Sequence, residues 1–395
     1  MSSIAKIEYT KNELPKKVQT IGLILFAVGL VLSLVSYFVD ANRSAFNNII
    51  MMMLLASVGV GSFFLVALEY VAGAVWSVPF RRVAEFFSSI LMILPIIALP
   101  LFFNLGHIFH WMHPEIVKMD EVLIKKAPYL NQNFLIIRFV VFVLIWIGFY
   151  YFITKNSKKQ DPTGDQTLTT KNIKLSAIFM PLFAFSITFF SFDWLMSLAP
   201  HWFSTIFGVY YFSGTVLAAL AVVTIAVILL NQNGYLVKGL NQEHYYSLGA
   251  LLFAFTNFWA YIAFSQYMLI WYANLPEETN WFLMRWTGDW KVVSIGLILI
   301  RFLIPYAGLL SQPSKMNPKR LVIMSGVILF AHFYDLYWMI MPTFSKDSAL
   351  FSWNELGFAM LAAGIIILAF VIKAKKNNLV PIGDPKLQRG IDFRL

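Results

Sequence analysis

The sequence predicts an all-α polytopic membrane protein of ten transmembrane helices. Of its 395 residues, 59% are hydrophobic and only 13% charged, whereas a soluble domain carries about 25% charged residues. Mean hydropathy is +0.70. Apolar runs of about 18 residues or more, sufficient to cross a hydrocarbon core about 30 Å thick, recur along the chain. A water-soluble globule, a disordered chain and a secreted disulfide scaffold are excluded, the last also by the absence of cysteine.

Reading the apolar runs against their polar punctuation places the spans at 18–39, 48–74, 83–105, 134–153, 173–198, 205–230, 246–273, 290–311, 320–341 and 353–372. The first follows Lys16 and Lys17 and continues past Phe38 without a small-residue cleavage site, so it reads as a retained helix. The third carries Pro95 and Pro100, the fifth Pro181 and the eighth Pro305. Between the fourth and fifth, segment 154–172 has the composition of a solvated linker. The longest connections on the other side, 106–133 and 274–289, exceed a minimal helix hairpin. Residues 1–17 and 373–395 read as tails.

Orientation follows from Lys and Arg in the connections. The side bearing both termini holds 20 and the opposite loops hold 6, namely Arg43, Lys118, Lys125, Lys126, Arg285 and Lys346. Both termini are therefore expected in the cytoplasm. Most of the net charge of +10 is this topological bias, and no nucleic-acid role is assigned to it. Tryptophan is lopsided the other way. Nine of twelve fall near the outer face: Trp111, Trp194, Trp202, Trp271, Trp281, Trp286, Trp290, Trp338 and Trp353. An aromatic belt at headgroup level is one reading. A docking face for another protein is the other, with Trp202, Trp281 and Trp286 as its candidates.

The absent cysteine restricts redox chemistry. Iron–sulfur clusters need thiolates and a CxxC couple is ruled out, leaving a histidine-held haem or a diffusible quinone for this chain alone. A membrane haem b needs two deep histidines on facing helices, and only His332 is deep. His107, His110, His113 and His201 lie at the outer level, so no haem b is expected.

Three stretches carry a resemblance: EYVAGAVWSVPFRRVAEF at 69–86, SFDWLMSLAPHWFSTIFGVYYFSG at 191–214, and FTNFWAYIAFSQYMLIWYANLPEETNWFLMR at 255–285. They resemble the ActF family, membrane subunits of bacterial alternative complex III, a quinol:cytochrome c (or high-potential acceptor) oxidoreductase. The likeness covers nearly the whole chain. It implies two four-helix bundles, 48–198 and 205–341, with peripheral helices at 18–39 and 353–372. It implies a place in the bacterial inner membrane and a larger paralogous partner similar to the NrfD/PsrC membrane subunits. It further implies iron–sulfur and c-type cytochrome subunits on the periplasmic face, with a terminal cytochrome oxidase as a further partner. Haem c and iron–sulfur clusters would sit in those partners. This chain would bind no cofactor by itself, a quinone being the one group left open.

Ionisable groups at bilayer depth cost at least about 2.5–3.5 kcal/mol on insertion scales, so each demands a reason. Arg138, Lys174, Lys291 and Glu355 lie near span ends, where long side chains snorkel. Glu69 and Glu85 flank Arg81 and Arg82, as a salt-bridged turn or as the mouth of a proton path. Arg301 in the eighth span and His332 and Asp335 in the ninth fall at similar depth, and the latter two share a face. They read as a structural clamp or a protonation relay. Asn257, Tyr261, Ser265 and Met268 form a polar stripe on the seventh span, either holding a helix pair or lining a hydrated path. Asp193 stands near the outer face as an exit or a cap. The function classes in play are a non-catalytic subunit of a quinol-oxidising complex, supporting assembly and proton conduction, and a secondary transporter of ions or small solutes.

Overall fold

The structure, a computed structural model, describes residues 13–395. Among these residues there is no strand, and ten helices are long and apolar enough to cross a membrane. They are α1 (Lys16–Val39), α2 (Ala41–Ala72), α3 (Val78–Phe103), α4 (Gln132–Thr163), α5 (Gln166–Leu198), α6 (Phe207–Gln232), α7 (Gln242–Ala273), α8 (Trp290–Leu309), α9 (Pro318–Phe344) and α10 (Trp353–Lys376). The protein is a multi-pass membrane protein. An even number of crossings puts both ends of the described chain on one face, called here the termini face; the other is the far face.

Burial separates centre from rim. In α2 and α6, 94% and 83% of the apolar window is inside the molecule, against 22% for α1. α2 and α6 pack on each other, and each anchors a ring of neighbours, α2–α5 and α6–α9. α1 lies mainly along α10, at very short range. A Cβ on Gly29 would run into the Leu361 backbone nitrogen, and one on Gly364 into that of Phe26. Small residues at these crossings let the backbones meet, as in other membrane helix pairs.

Three regions depart from the sequence expectation. α2 starts at Ala41, where the Asp40 side chain accepts from the Arg43 N–H. Segment 154–172 is not a linker: α4 runs to Thr163 and α5 starts at Gln166. Gly164 (φ 62°) closes the first helix and Asp165 caps the second. Composition misled because one face of this polar extension, Thr154, Ser157 and Gln160, is buried. The C-terminal residues beyond α10 fold back under the bundle, burying Leu379, Val380 and Leu387. Of the N-terminal tail 1–17, residues 1–12 lie outside the described residues.

Two spans are broken. α3 joins short helical pieces, with Pro95 opening the last of them and Pro100 within it. α8 is α-helical to Ile298, forms a π-turn over Leu299–Leu303, and resumes at Ile304. Pro305 accounts for the second break. It has no N–H to donate to the Arg301 carbonyl four residues earlier, so the ladder widens there.

Candidate functional site

The π-turn places Arg301 in the middle of the second ring. At 1.5 Å per residue, Arg301 is roughly 17 Å from the far end of α8, and Asp335 roughly 14 Å from that of α9. The arginine, His332 and Asp335 are all about 1–2% exposed. Arg301 Nη2 lies 3.1 Å from His332 Nδ1, and Nε lies 3.4 Å from Asp335 Oδ2, close enough for an ion pair but outside hydrogen-bond geometry. The structure thus brings the three sequence candidates together.

It also adds residues that sequence reading did not single out. Tyr210 of α6 donates its hydroxyl to Asp335 Oδ1 at 2.6 Å. The Arg301 guanidinium stands 5.1 Å from the ring centre of Trp259 on α7. A Cβ at Gly214 would fall 2.8 Å from Arg301 Nη2 and 2.9 Å from His332 Cε1, so a glycine is what admits the cluster to α6. All four helices of the ring contribute. Tyr210 is the fourth residue of α6 yet meets Asp335 well inside α9, so the start of α6 lies deep. Of the irregular backbone before it, Pro200 and Trp202 are buried, while His201, Phe203 and Thr205 are exposed.

The hydrogen bonding fixes the state of the imidazole. A guanidinium only donates, so His332 Nδ1 accepts and the ring proton sits on Nε2. That nitrogen has no partner among the described residues, nor does Arg301 Nη1. Taking a second proton at Nδ1 requires His332 to let go of Arg301. The cluster is therefore a buried acid, base and cation with three donors, Arg301 Nε and Nη1 and His332 Nε2, lacking a hydrogen bond among the described residues.

Asp193 belongs to a second, better satisfied cluster in the first ring. Arg138 of α4 reaches it through Nη2 (2.8 Å) and Nε (2.9 Å), and donates Nη1 to the Tyr129 carbonyl. The Tyr129 hydroxyl donates to Asp193 Oδ1 at 2.9 Å, and the guanidinium lies over the Tyr129 and Phe134 rings. Arg138 therefore does not snorkel; it is 6% exposed and paired. Glu355 is likewise no surface anchor. It is fully buried, caps α10 and binds Arg43 at 2.7 Å. Both corrections have one cause: a partner on another helix, invisible to single-helix depth arithmetic. Lys174 and Lys291 are exposed, as expected.

Near the termini face, Glu69 and Glu85 share a buried network. Arg81 binds Glu69 (2.8 Å), Glu85 (3.3 Å) and, from the folded-back C-terminus, Asp384 (2.7 Å). Arg82 binds Glu85 (3.2 Å) and Asp161 (2.9 Å). Four carboxylates share two guanidiniums, so acid outnumbers base within the network. A cavity of about 190 Å³ adjoins it, lined by Leu65, Glu69, Ser77, Arg81, Leu220 and Leu251 among others.

The remaining candidates disperse. Trp202 and Trp281 are 3% and 6% exposed, stacked on each other at 4.5 Å. Arg285 lies 3.5 Å over the Trp281 ring and donates to the backbone carbonyls of Trp281, Trp338 and Met339. These two tryptophans close the far end of the chain's own bundle and offer no free docking face. Trp286 remains exposed. Tyr261 does not line the interior, being 66% exposed on the outside of α7, and Asn257 is half-buried. His113 contacts the Gly106 carbonyl and His201 pairs with Asp120, whose carboxyl that hydrogen bond holds below its usual range. Among the described residues no group of three or more His, Asp or Glu side chains is arranged for a metal ion. Neither the protein-family models nor the curated proteins compared with this chain give a match.

Proposed function

We propose that the chain is an integral subunit of a respiratory quinol:cytochrome c oxidoreductase of the alternative complex III type, supporting assembly and conducting protons. The observation that carries the proton role is the Tyr210–Asp335–Arg301–His332 cluster, deep in the second ring with three donors that lack a hydrogen bond among the described residues. Buried ionisable groups at such depth mark proton and ion pathways. The acid-rich network at Glu69 and Glu85 supplies an entry on the termini face, and the three stretches that resemble the ActF family support the assignment to that complex. Asp193, held by Arg138 and Tyr129, acts as a clamp in this reading rather than as an exit. The chemistry of quinol oxidation belongs to partners: a larger NrfD-like membrane paralogue and the iron–sulfur and haem c subunits on the periplasmic face. The charge bias supports cytoplasmic termini, and the resemblance to the ActF family supports a place in the bacterial inner membrane.

Purification of the tagged chain in mild detergent tests this directly. Co-elution with haem c and iron–sulfur polypeptides, and quinol:cytochrome c activity of the preparation, are expected; reporter fusions after residues 120 and 160 should report periplasm and cytoplasm. A solitary polypeptide without redox cofactors would sink the reading and favour the transporter, for which the broken α8 at mid-depth is the supporting feature.

A further inference from the structure

The polar stripe of α7 has no use inside the chain. Asn257, Tyr261, Ser265 and Met268 recur every three or four residues, and Tyr261 and Met268 are 66% and 49% exposed. Tyr261 lies twelve residues from Ala273, the far end of α7, hence roughly 18 Å along the axis of a helix roughly 48 Å long and roughly 15 Å below Trp271. Its hydroxyl has no hydrogen-bond partner among the described residues. Asn257, one turn deeper, donates Nδ2 to the Phe253 carbonyl of its own helix, leaving its Oδ1 without a donor.

Other outward faces look different. α8 exposes Val292, Ile295, Ile298, Leu299, Leu303 and Ile304, all hydrocarbon, as a lipid-facing surface should be. A hydroxyl and an amide oxygen facing acyl chains would stay unsatisfied, and bilayer interiors do not tolerate that cheaply. The aromatic side chains nearer the far end, Trp271 and Tyr272, fit a headgroup belt; Tyr261 and Asn257 are too deep for one.

The geometry points to this stripe as the docking face for a transmembrane helix of a different polypeptide, one presenting small residues and a hydrogen-bonding side chain at the depth of Asn257 and Tyr261. A second copy of this chain fits poorly. A twofold axis along the membrane normal would set Tyr261, Phe264 and Tyr267 against their own counterparts at equal depth, holding the backbones apart, whereas small residues let membrane helices approach. The inference rests on the reading of the chain as a subunit and sharpens it by naming the surface.

The test is photo-cross-linking in native membranes, with p-benzoylphenylalanine replacing Tyr261 in the full chain, and replacing Ile298 as the lipid-facing control. An adduct at 261, mapped by mass spectrometry to a membrane-spanning helix of another chain and missing at 298, is the expected result. The double variant Tyr261→Phe with Asn257→Leu should keep the thermal midpoint of the isolated chain and lower recovery of that partner about tenfold. Lipid adducts alone at both positions, or an adduct with a second copy, would overturn the proposal. A cross-linked partner from an assembly without redox cofactors would uphold the docking face and defeat the respiratory reading. Intact redox co-purification with no protein adduct at 261 would do the reverse.

Discussion

The two rings contain the same three groups, with the arginine and the aspartate on corresponding helices. The third helix of each supplies an arginine (Arg138, Arg301) and the fourth an aspartate (Asp193, Asp335), and a tyrosine hydroxyl (Tyr129, Tyr210) donates to that aspartate. In the first ring every nitrogen of the guanidinium is engaged. In the second, the arginine faces the carboxylate without a hydrogen bond, spends Nη2 on an imidazole and leaves Nη1 open. The first pair lies roughly 9 Å from the far end of α4, within reach of water, and the second at mid-depth. Composition does not separate a clamp from a proton-exchanging site. Satisfaction of donors does, because a fully engaged trio has no reason to admit water or to move.

The sharpest way to break this contrast is to neutralise each aspartate. Asp335→Asn leaves Arg301 unpaired at mid-depth and should cost about 3–5 kcal/mol, with loss of assembled protein. Asp193→Asn should cost about 1–3 kcal/mol, because Arg138 keeps the Tyr129 carbonyl and two rings. Denaturation in detergent compares them; equal losses would erase the distinction. Arg301→Met combined with Asp335→Leu should recover most of the stability while abolishing proton movement.

Smaller effects sharpen it. Tyr210→Phe removes the short hydrogen bond that Asp335 accepts from the tyrosine hydroxyl and should cost about 1.5–3 kcal/mol. Tyr129→Phe should cost about 1 kcal/mol or less, Arg138 still holding Asp193. A reversed order would place the tighter constraint in the first ring. Smallest in stability is His332→Gln, within about 1 kcal/mol, because the glutamine oxygen can accept from Arg301 as Nδ1 does. Its effect belongs to proton stoichiometry in vesicles carrying the reconstituted complex. Unchanged turnover and stoichiometry would reduce the second cluster to a clamp like the first.

The ten spans and the Arg301–His332–Asp335 association were legible because hydropathy and residue depth are properties of each helix taken alone. Tyr210, Trp259 and Gly214 were not: they enter from helices remote in sequence, and only ring closure brings them in. The same limit hid the Arg138–Asp193 and Arg43–Glu355 pairs. Trp202 and Trp281 were misread because an interface residue and a buried stack share one composition; Arg285 folding over them decides it. Pro305 was visible, but a proline signals only that the ladder breaks, not that it widens into a π-turn around the functional arginine.

The glycine-mediated contact of α1 with α10 has a consequence in time. Synthesis releases α1 some three hundred residues before the helix on which Gly29 is to close. During that interval α1 is held by the bilayer and by α2, through Ser36 with Ser44 and Tyr37 with Asn48, and its mean hydropathy of 2.5 over an apolar window suits it to the membrane. The rings can form first, and the outermost pair then shuts like a clasp, so that the arrival of α10 determines when α1 stops wandering.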